Sequence, residues 1–109
     1  MSDLVKVFAP SGIFDKPQAE PFRQEVIRYA ESGTSIILVD LENVIFMDSS
    51  GLGVLLLALK KVQEHGGRLC LCSIQEQVRI LFELTKMEQL FEIYPHRAAF
   101  AEQLATESV

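Results

Sequence analysis

The sequence predicts a small α/β domain in which strands and helices alternate along the chain. Three observations carry that prediction. Ser35-Ile36-Ile37-Leu38-Val39-Asp40 and Leu69-Cys70-Leu71-Cys72 are short, almost continuously apolar runs, the pattern of strands covered on both faces. Between them lies a leucine-rich stretch, 49–65, long enough for a helical crossover and closed by Gly66-Gly67, a helix-ending signal. Strand, helix and strand in that order form a βαβ unit with parallel strands.

The remaining elements follow in order. Residues 4–9 are β-prone and bounded by Pro10, Ser11 and Gly12, which predicts a short strand and a turn. Asp15 is placed to cap a helix that has Pro17 in its first turn. Ala19, Phe22, Val26 and Ala30 recur at spacings of three and four, with Ile27 beside them. That is the apolar stripe of an amphipathic helix ending near Ser32-Gly33. The βαβ unit comes next. A third helix is predicted over 75–86 with Val78, Leu81 and Phe82 inward, then a short strand near 91–93. A last helix starts after Pro95 and carries Ala98, Ala101 and Leu104. Residues 106–109 are expected to fray. The result is a sheet of about four strands flanked by about four helices, with no repeat, linker or low-complexity segment.

Composition narrows the function. A chain of 109 residues suits a single domain over 1–109. With 49% hydrophobic and 23% charged residues, it is globular in character and not disordered. Its net charge of -5 lacks the footprint of a nucleic-acid binder. No apolar run approaches the ~20 residues of a membrane span, and Met1-Ser2-Asp3-Leu4-Val5-Lys6 does not read as a secretory leader. The expectation is a soluble, cytoplasmic domain with no membrane partner. Cys70 and Cys72 build no disulfide framework. They share one strand face, lack zinc-knuckle spacing, and read as core residues.

Asp48-Ser49-Ser50-Gly51-Leu52-Gly53 carries the most information. Two readings of it stand open. Asp48 or Ser49 caps the central helix, or a serine here is a phosphorylation site favoured by the helix dipole and free amides. Gly51 and Gly53 each cost about 1 kcal/mol in a helix relative to alanine. Close approach of another backbone accounts for them, or else a phosphate cradle. The dinucleotide fingerprint fails, because Leu56 stands where its third glycine belongs, and no Walker lysine follows. Leu52, Leu55, Leu56, Leu59 and Val62 fill one face of the central helix, while Val54, Leu57 and Ala58 widen the apolar surface. That breadth means wide burial or a patch for a partner. No nucleophile elbow exists at Ser50, which has Asp48 two residues upstream where the motif needs glycine. His65 and His96 read as helix-end residues, and Asp15 and Asp48 as solvated caps. No metal or cofactor site and no enzymatic constellation emerges.

The run Asp40-Leu41-Glu42-Asn43-Val44-Ile45-Phe46-Met47-Asp48-Ser49-Ser50-Gly51-Leu52-Gly53 resembles the signature of the STAS domain, specifically of bacterial anti-sigma factor antagonists. The similarity continues through Gly66-Gly67-Arg68-Leu69 and Val78-Arg79-Ile80-Leu81-Phe82-Glu83-Leu84 to Phe91-Glu92-Ile93-Tyr94. Upstream, Gly12-Ile13-Phe14-Asp15 is similar to the family's loop before the first helix. The resemblance spans about 4–104.

It implies a non-enzymatic regulator of transcription that binds an anti-sigma factor which is also a serine kinase. Phosphorylation weakens that binding, and a metal-dependent serine phosphatase restores it. By position in the motif the phosphorylated residue is Ser50, with Ser49 the second candidate. Asp48 shapes the site, Asp15 lies on the same contact face, and Gly51, Leu52 and Gly53 complete the partner-binding segment. ATP and magnesium belong to the kinase, so no cofactor is expected of this chain. The implied fold is a STAS-like central mixed sheet that usually opens with a hairpin. Gly12 comes so early that the hairpin's first strand is expected to be missing or short, leaving an edge exposed or covered by a second copy. Lys16-Pro17 also departs from the small polar residues expected there. The same domain acting on a non-sigma target, a signalling assembly or a transporter, is the alternative. A small enzyme is the third reading.

Overall fold

A helix that leaves one strand and returns the chain to the same end of the next makes their pairing parallel. That rule builds the main sheet of the computed structural model, which describes residues 4–107. Strands β1 (Val5–Phe8), β3 (Ile36–Asp40), β5 (Arg68–Cys72) and β6 (Glu92–Tyr94) lie side by side in that order. Helices α1 (Lys16–Glu31), α2 (Ser49–Glu64) and α3 (Glu76–Thr85) lie in the successive connections, and a 3-10 turn, η1 (Met87–Gln89), follows α3. Every pairing among the described residues is parallel, from Val5 with Ile36 to Cys72 with Tyr94. The α/β class with four strands and four helices stands as expected. The mixed sheet does not, because each connection within the main sheet contains a helix.

Two strands escaped the sequence reading. β2 (Ser11–Phe14) and β4 (Asn43–Met47) pair in parallel as a separate ribbon. Residues 12–15 resemble the family's loop, and residues 43–47 carry no element in the sequence reading. The ribbon is hard to see because Gly12 pairs with Val44 but Ile13 pairs with Phe46. Ile45 is thus an extra residue on β4, a bulge that breaks the period-two pattern. The opening strand β1 is present and short. It does not pair with β2, but joins β3 at an edge of the main sheet.

The two faces of the main sheet are covered by different helices. Ile37, Val39, Leu69 and Leu71 join one core with Ala19, Val26 and Ala30 of α1, six buried residues of α2, and Val78 and Phe82 of α3. Leu38, Cys70 and Cys72 point the other way, toward Phe100 of α4 (Arg97–Glu107). Both thiols are fully buried on one strand face as predicted, and burial followed by the nearby Glu92 pushes the Cys70 thiol up to about 12. The stripe expected on α4 is corrected: Ala98 and Ala101 are exposed, and Phe100, with half-buried Leu104, makes the contact. Thr106 and Glu107 belong to α4, while 108–109 lie outside the described residues.

Two ion pairs fasten α4, Arg97 with Asp40 at its start and Glu107 with Arg68 at its end. Asp40 ends β3 only 5% exposed. It accepts from Arg97 Nε at 2.6 Å and from the Glu42 amide at 3.0 Å. Burial pushes its carboxyl up, but Arg97 and the Glu42 amide outweigh burial and hold it below the ordinary 3.8. A lowered carboxyl contributes stability above its unfolded value and loses it as pH falls through the folded value. Asp40→Asn should therefore lower the urea midpoint at pH 7, and the gap from the parent should narrow below about pH 4. An equal gap at pH 7 and pH 3 would refute this account.

Candidate functional site

The site begins with two strands that end together. Phe14 of β2 is in register with Met47 of β4, and the ribbon is parallel. The residues that follow, Asp15 and Asp48, therefore leave the same end of the ribbon, and each caps the next helix. Asp15 has extended backbone, and its side chain accepts from the Gln18 amide at 3.2 Å. Asp48 is likewise extended and accepts from the Gly51 amide at 2.9 Å. These are ordinary aspartate caps, and they set the N-termini of α1 and α2 side by side.

Ser50 joins the two. Its hydroxyl donates to Asp48 Oδ1 at 2.7 Å and accepts from the Lys16 amide at 3.1 Å. Lys16 is the first residue of α1, where backbone N–H groups have no partner within the helix. A serine hydroxyl has one proton and two lone pairs. One lone pair of Ser50 remains, on a residue exposed to solvent. The Gly51 amide first, and the Ser50 hydroxyl second, hold the Asp48 carboxyl below its ordinary range. It is therefore anionic at neutral pH. Both helix dipoles present their positive ends at the same place.

Gly51 makes this arrangement fit. A Cβ there would fall 1.8 Å from the carbonyl oxygen of Phe14. Close approach by another backbone thus explains Gly51. It does not explain Gly53, whose Cβ would meet nothing within 4 Å. Asp48 and Asp15 are half-buried, and Ser49, Ser50 and Gly53 are exposed. Gly51 and Leu52 face inward, so Leu52 supports the site from the core and does not present itself to a partner. Wide burial accounts for α2, with Leu57 the large apolar residue left exposed on it.

Two groups of residues were missed in the sequence. Gln77 of α3 uses both ends of its amide on Met47: Oε1 accepts from its N–H and Nε2 donates to its carbonyl, each at 2.9 Å. It completes the edge of β4 as another strand would, one residue before the Asp48 cap. Gln75 donates similarly to the Glu42 carbonyl. A glutamine before an apolar stripe gives no signal of this role. The second group is the outer surface of the ribbon, where Ile13, Ile45 and Phe46 are 50%, 69% and 44% exposed. Ile13 and Phe46 are paired across the strands, so an apolar patch lies two residues before each capping aspartate. Uninterrupted alternation would have revealed it, but the bulge removes that pattern.

Ribbon, paired caps and bridging serine occur in a chain whose residues 2–99 match the family model of the STAS domain. The chain belongs to that family, among its bacterial anti-sigma factor antagonists. The anti-sigma-B factor antagonist of Staphylococcus aureus is 32% identical over 93 residues, covering 82% of this chain and 80% of that protein. A solved anti-sigma factor antagonist from Mycobacterium paratuberculosis is 25% identical with a TM-score of 0.78, over 92% of this chain and 86% of that one. The Bacillus cell fate determinant SpoIIAA, solved in its phosphorylated form, shares the fold. It has a TM-score of 0.70 and 22% identity over 92% of this chain and 91% of that one. No helix of the described residues is long and apolar enough to cross a membrane.

The two glycines should respond oppositely to alanine. Gly51→Ala forces α2 away from Phe14 and should cost about 1–3 kcal/mol. Gly53→Ala fills open space on an exposed helix face and should stabilise by up to about 1 kcal/mol. Urea denaturation of both variants checks the pair, and equal effects would contradict the close-approach explanation.

Proposed function

We propose that this chain is an anti-sigma factor antagonist whose hold on a serine-kinase anti-sigma factor is switched by phosphorylation of Ser50. The observation that carries this reading is the Ser50 hydroxyl, exposed and oriented between Asp48 and the Lys16 amide. The family relationship supports the role, and the phosphorylated Bacillus neighbour supports the type of switch. Ser50 is favoured over Ser49, whose hydroxyl no hydrogen bond orients among the described residues.

In the unmodified state the partner meets a neutral hydroxyl, the half-buried caps Asp15 and Asp48, and the apolar patch of Ile13, Ile45 and Phe46. Binding occupies the anti-sigma factor and frees the sigma factor. The kinase supplies ATP and magnesium. The γ-phosphoryl group of ATP bonds to Ser50 Oγ as its bond to ADP breaks, ADP leaves and the hydroxyl proton passes to solvent, so the bond donated to Asp48 is lost. A group of charge about −1.5 to −2 then stands beside the Asp48 carboxylate. Within the domain the two helix N-termini offset this charge. At the interface it is uncompensated and bulky, so the partner is released while the fold persists. A metal-dependent serine phosphatase resets the switch, and the 1–109 domain acts in the cytoplasm as one unit.

Ser50→Asp should lower affinity for the cognate kinase-like anti-sigma factor at least about a hundredfold, near 3 kcal/mol, with an unchanged circular dichroism spectrum. Ser50→Ala should bind but accept no phosphate, as read by phosphosite mass spectrometry. Full binding by Ser50→Asp would overturn the switch. A phosphorylated Ser50 with no such kinase among the partners recovered from native cells would assign the domain to a different target.

A further inference from the structure

Two strands, β1 and β6, form the edges of the main sheet. β6 has three residues and runs directly into Pro95, and its Glu92 is held by Arg68 at 2.7 Å. An edge that short and charged offers little to another strand. β1 is different. The Leu4 carbonyl accepts from the Ile36 amide at 2.8 Å, so the backbone groups of Leu4, and at alternate positions those of Lys6 and Phe8, face β3. Those of Val5 and Val7 point the other way, and no strand among the described residues takes them. Ala9 continues that outward row, because the residue before a proline favours extended backbone.

The devices that usually blunt an edge are missing along β1. No bulge interrupts it. A lysine commonly guards an edge, but Lys6 is turned onto the α1 face, with its Nζ 4.7 Å from the Tyr29 ring centre and 5.7 Å from that of Phe8. On the opposite face Val5 joins the cluster of Leu38 and Phe100, while Val7 is left 37% exposed. In a chain of net charge -5, residues 4–9 carry no acid, so this edge is spared the repulsion between two copies.

We propose that β1 pairs with β1 of a second copy, antiparallel about a two-fold axis at Val7, and so joins the main sheets of the two copies. The axis sets Val7 opposite Val7, Val5 opposite Ala9 and Lys6 opposite Phe8. Directly opposed residues share a face, so Lys6 and Phe8 stay on the α1 side and the valines on the α4 side. The outward groups of Val5, Val7 and Ala9 all fall in hydrogen-bonded pairs. Lys6 falls in a closer, non-hydrogen-bonded pair and meets an aromatic ring across the interface. Sliding one strand by two residues puts Lys6 opposite Lys6, and like charges in that position repel. The single charge on the strand therefore selects the register. Because this pairing is self-complementary, a second copy of the chain is its occupant.

The test is self-association of the full chain with no other protein present. Sedimentation equilibrium from about 10 µM to about 1 mM should show the mean mass rising toward twice that of one chain. Val7→Pro removes an outward donor and no bond to β3. It should weaken association at least about tenfold and leave the helical circular dichroism signal in place. Hydrogen-bonded residues across an antiparallel pair have Cα atoms about 5.5 Å apart, within disulfide range. Val7→Cys should thus cross-link to itself under mild oxidation, whereas Val5→Cys, which faces Ala9, should not. Cys70 and Cys72 are fully buried and stay out of the reaction. The proposal is overturned by a single-copy mass at every concentration, by association that Val7→Pro leaves unchanged, or by Val5→Cys cross-linking as readily as Val7→Cys. Should Val7→Pro fail to fold, the two cysteine variants decide.

Discussion

The carbonyl oxygen of Phe14 occupies the space that a side chain at position 51 would need, and the end of the molecule that carries Ser50 is arranged around that contact. Without a Cβ, the first turn of α2 settles against the end of β2. This brings the Lys16 amide within reach of the Ser50 hydroxyl, so one serine is tied to two helices at once. A larger residue at 51 would separate the helix ends and leave Ser50 attached only to its own cap. The cost of glycine in a helix is set here against a geometry that no other residue permits.

The paired caps depend on strand direction. Parallel strands finish at the same end, and the pairing of Phe14 with Met47 makes β2 and β4 finish level. Two aspartates, each the next residue in its chain segment, then start two helices side by side. Gln77 holds the exposed edge of β4 just before its cap. The bulge at Ile45 turns both Ile45 and Phe46 outward beside Ile13. The features that hide the ribbon in the sequence are thus those that make its outer face apolar and exposed. Behind it, the four-stranded sheet provides a rigid support covered by α1, α2 and α3 on one face and by Phe100 of α4 on the other.

Legibility followed the range of the interactions. The helices were readable because apolar spacing of three and four repeats over many residues, and because Asp15 and Gly66 mark a start and an end locally. Strands β3 and β5 were readable as buried runs. The last helix was harder: its small alanines suggested an inward stripe, while one aromatic, Phe100, makes the seat. Within the motif, the cap by Asp48 agrees with the local reading of Asp48 or Ser49 as the cap. Gly53 and Leu52 show its limit, since the motif treats all its members alike and the fold turns one out and the other in.

By itself the sequence determined the alternation of strands and helices, the cores that their apolar residues fill, and the serine at the start of the central helix. Those properties depend on side-chain periodicity and on caps within a few residues. Only the tertiary structure decided that the sheet is wholly parallel, that β2 and β4 form a ribbon, and that Ser50 is shared between two helices. Its bond to the Lys16 amide spans 34 positions, and that of Gln77 to Met47 spans 30. Both use backbone groups that almost every residue carries. No residue type announces such a contact, and it exists only when the packed fold brings the two segments together.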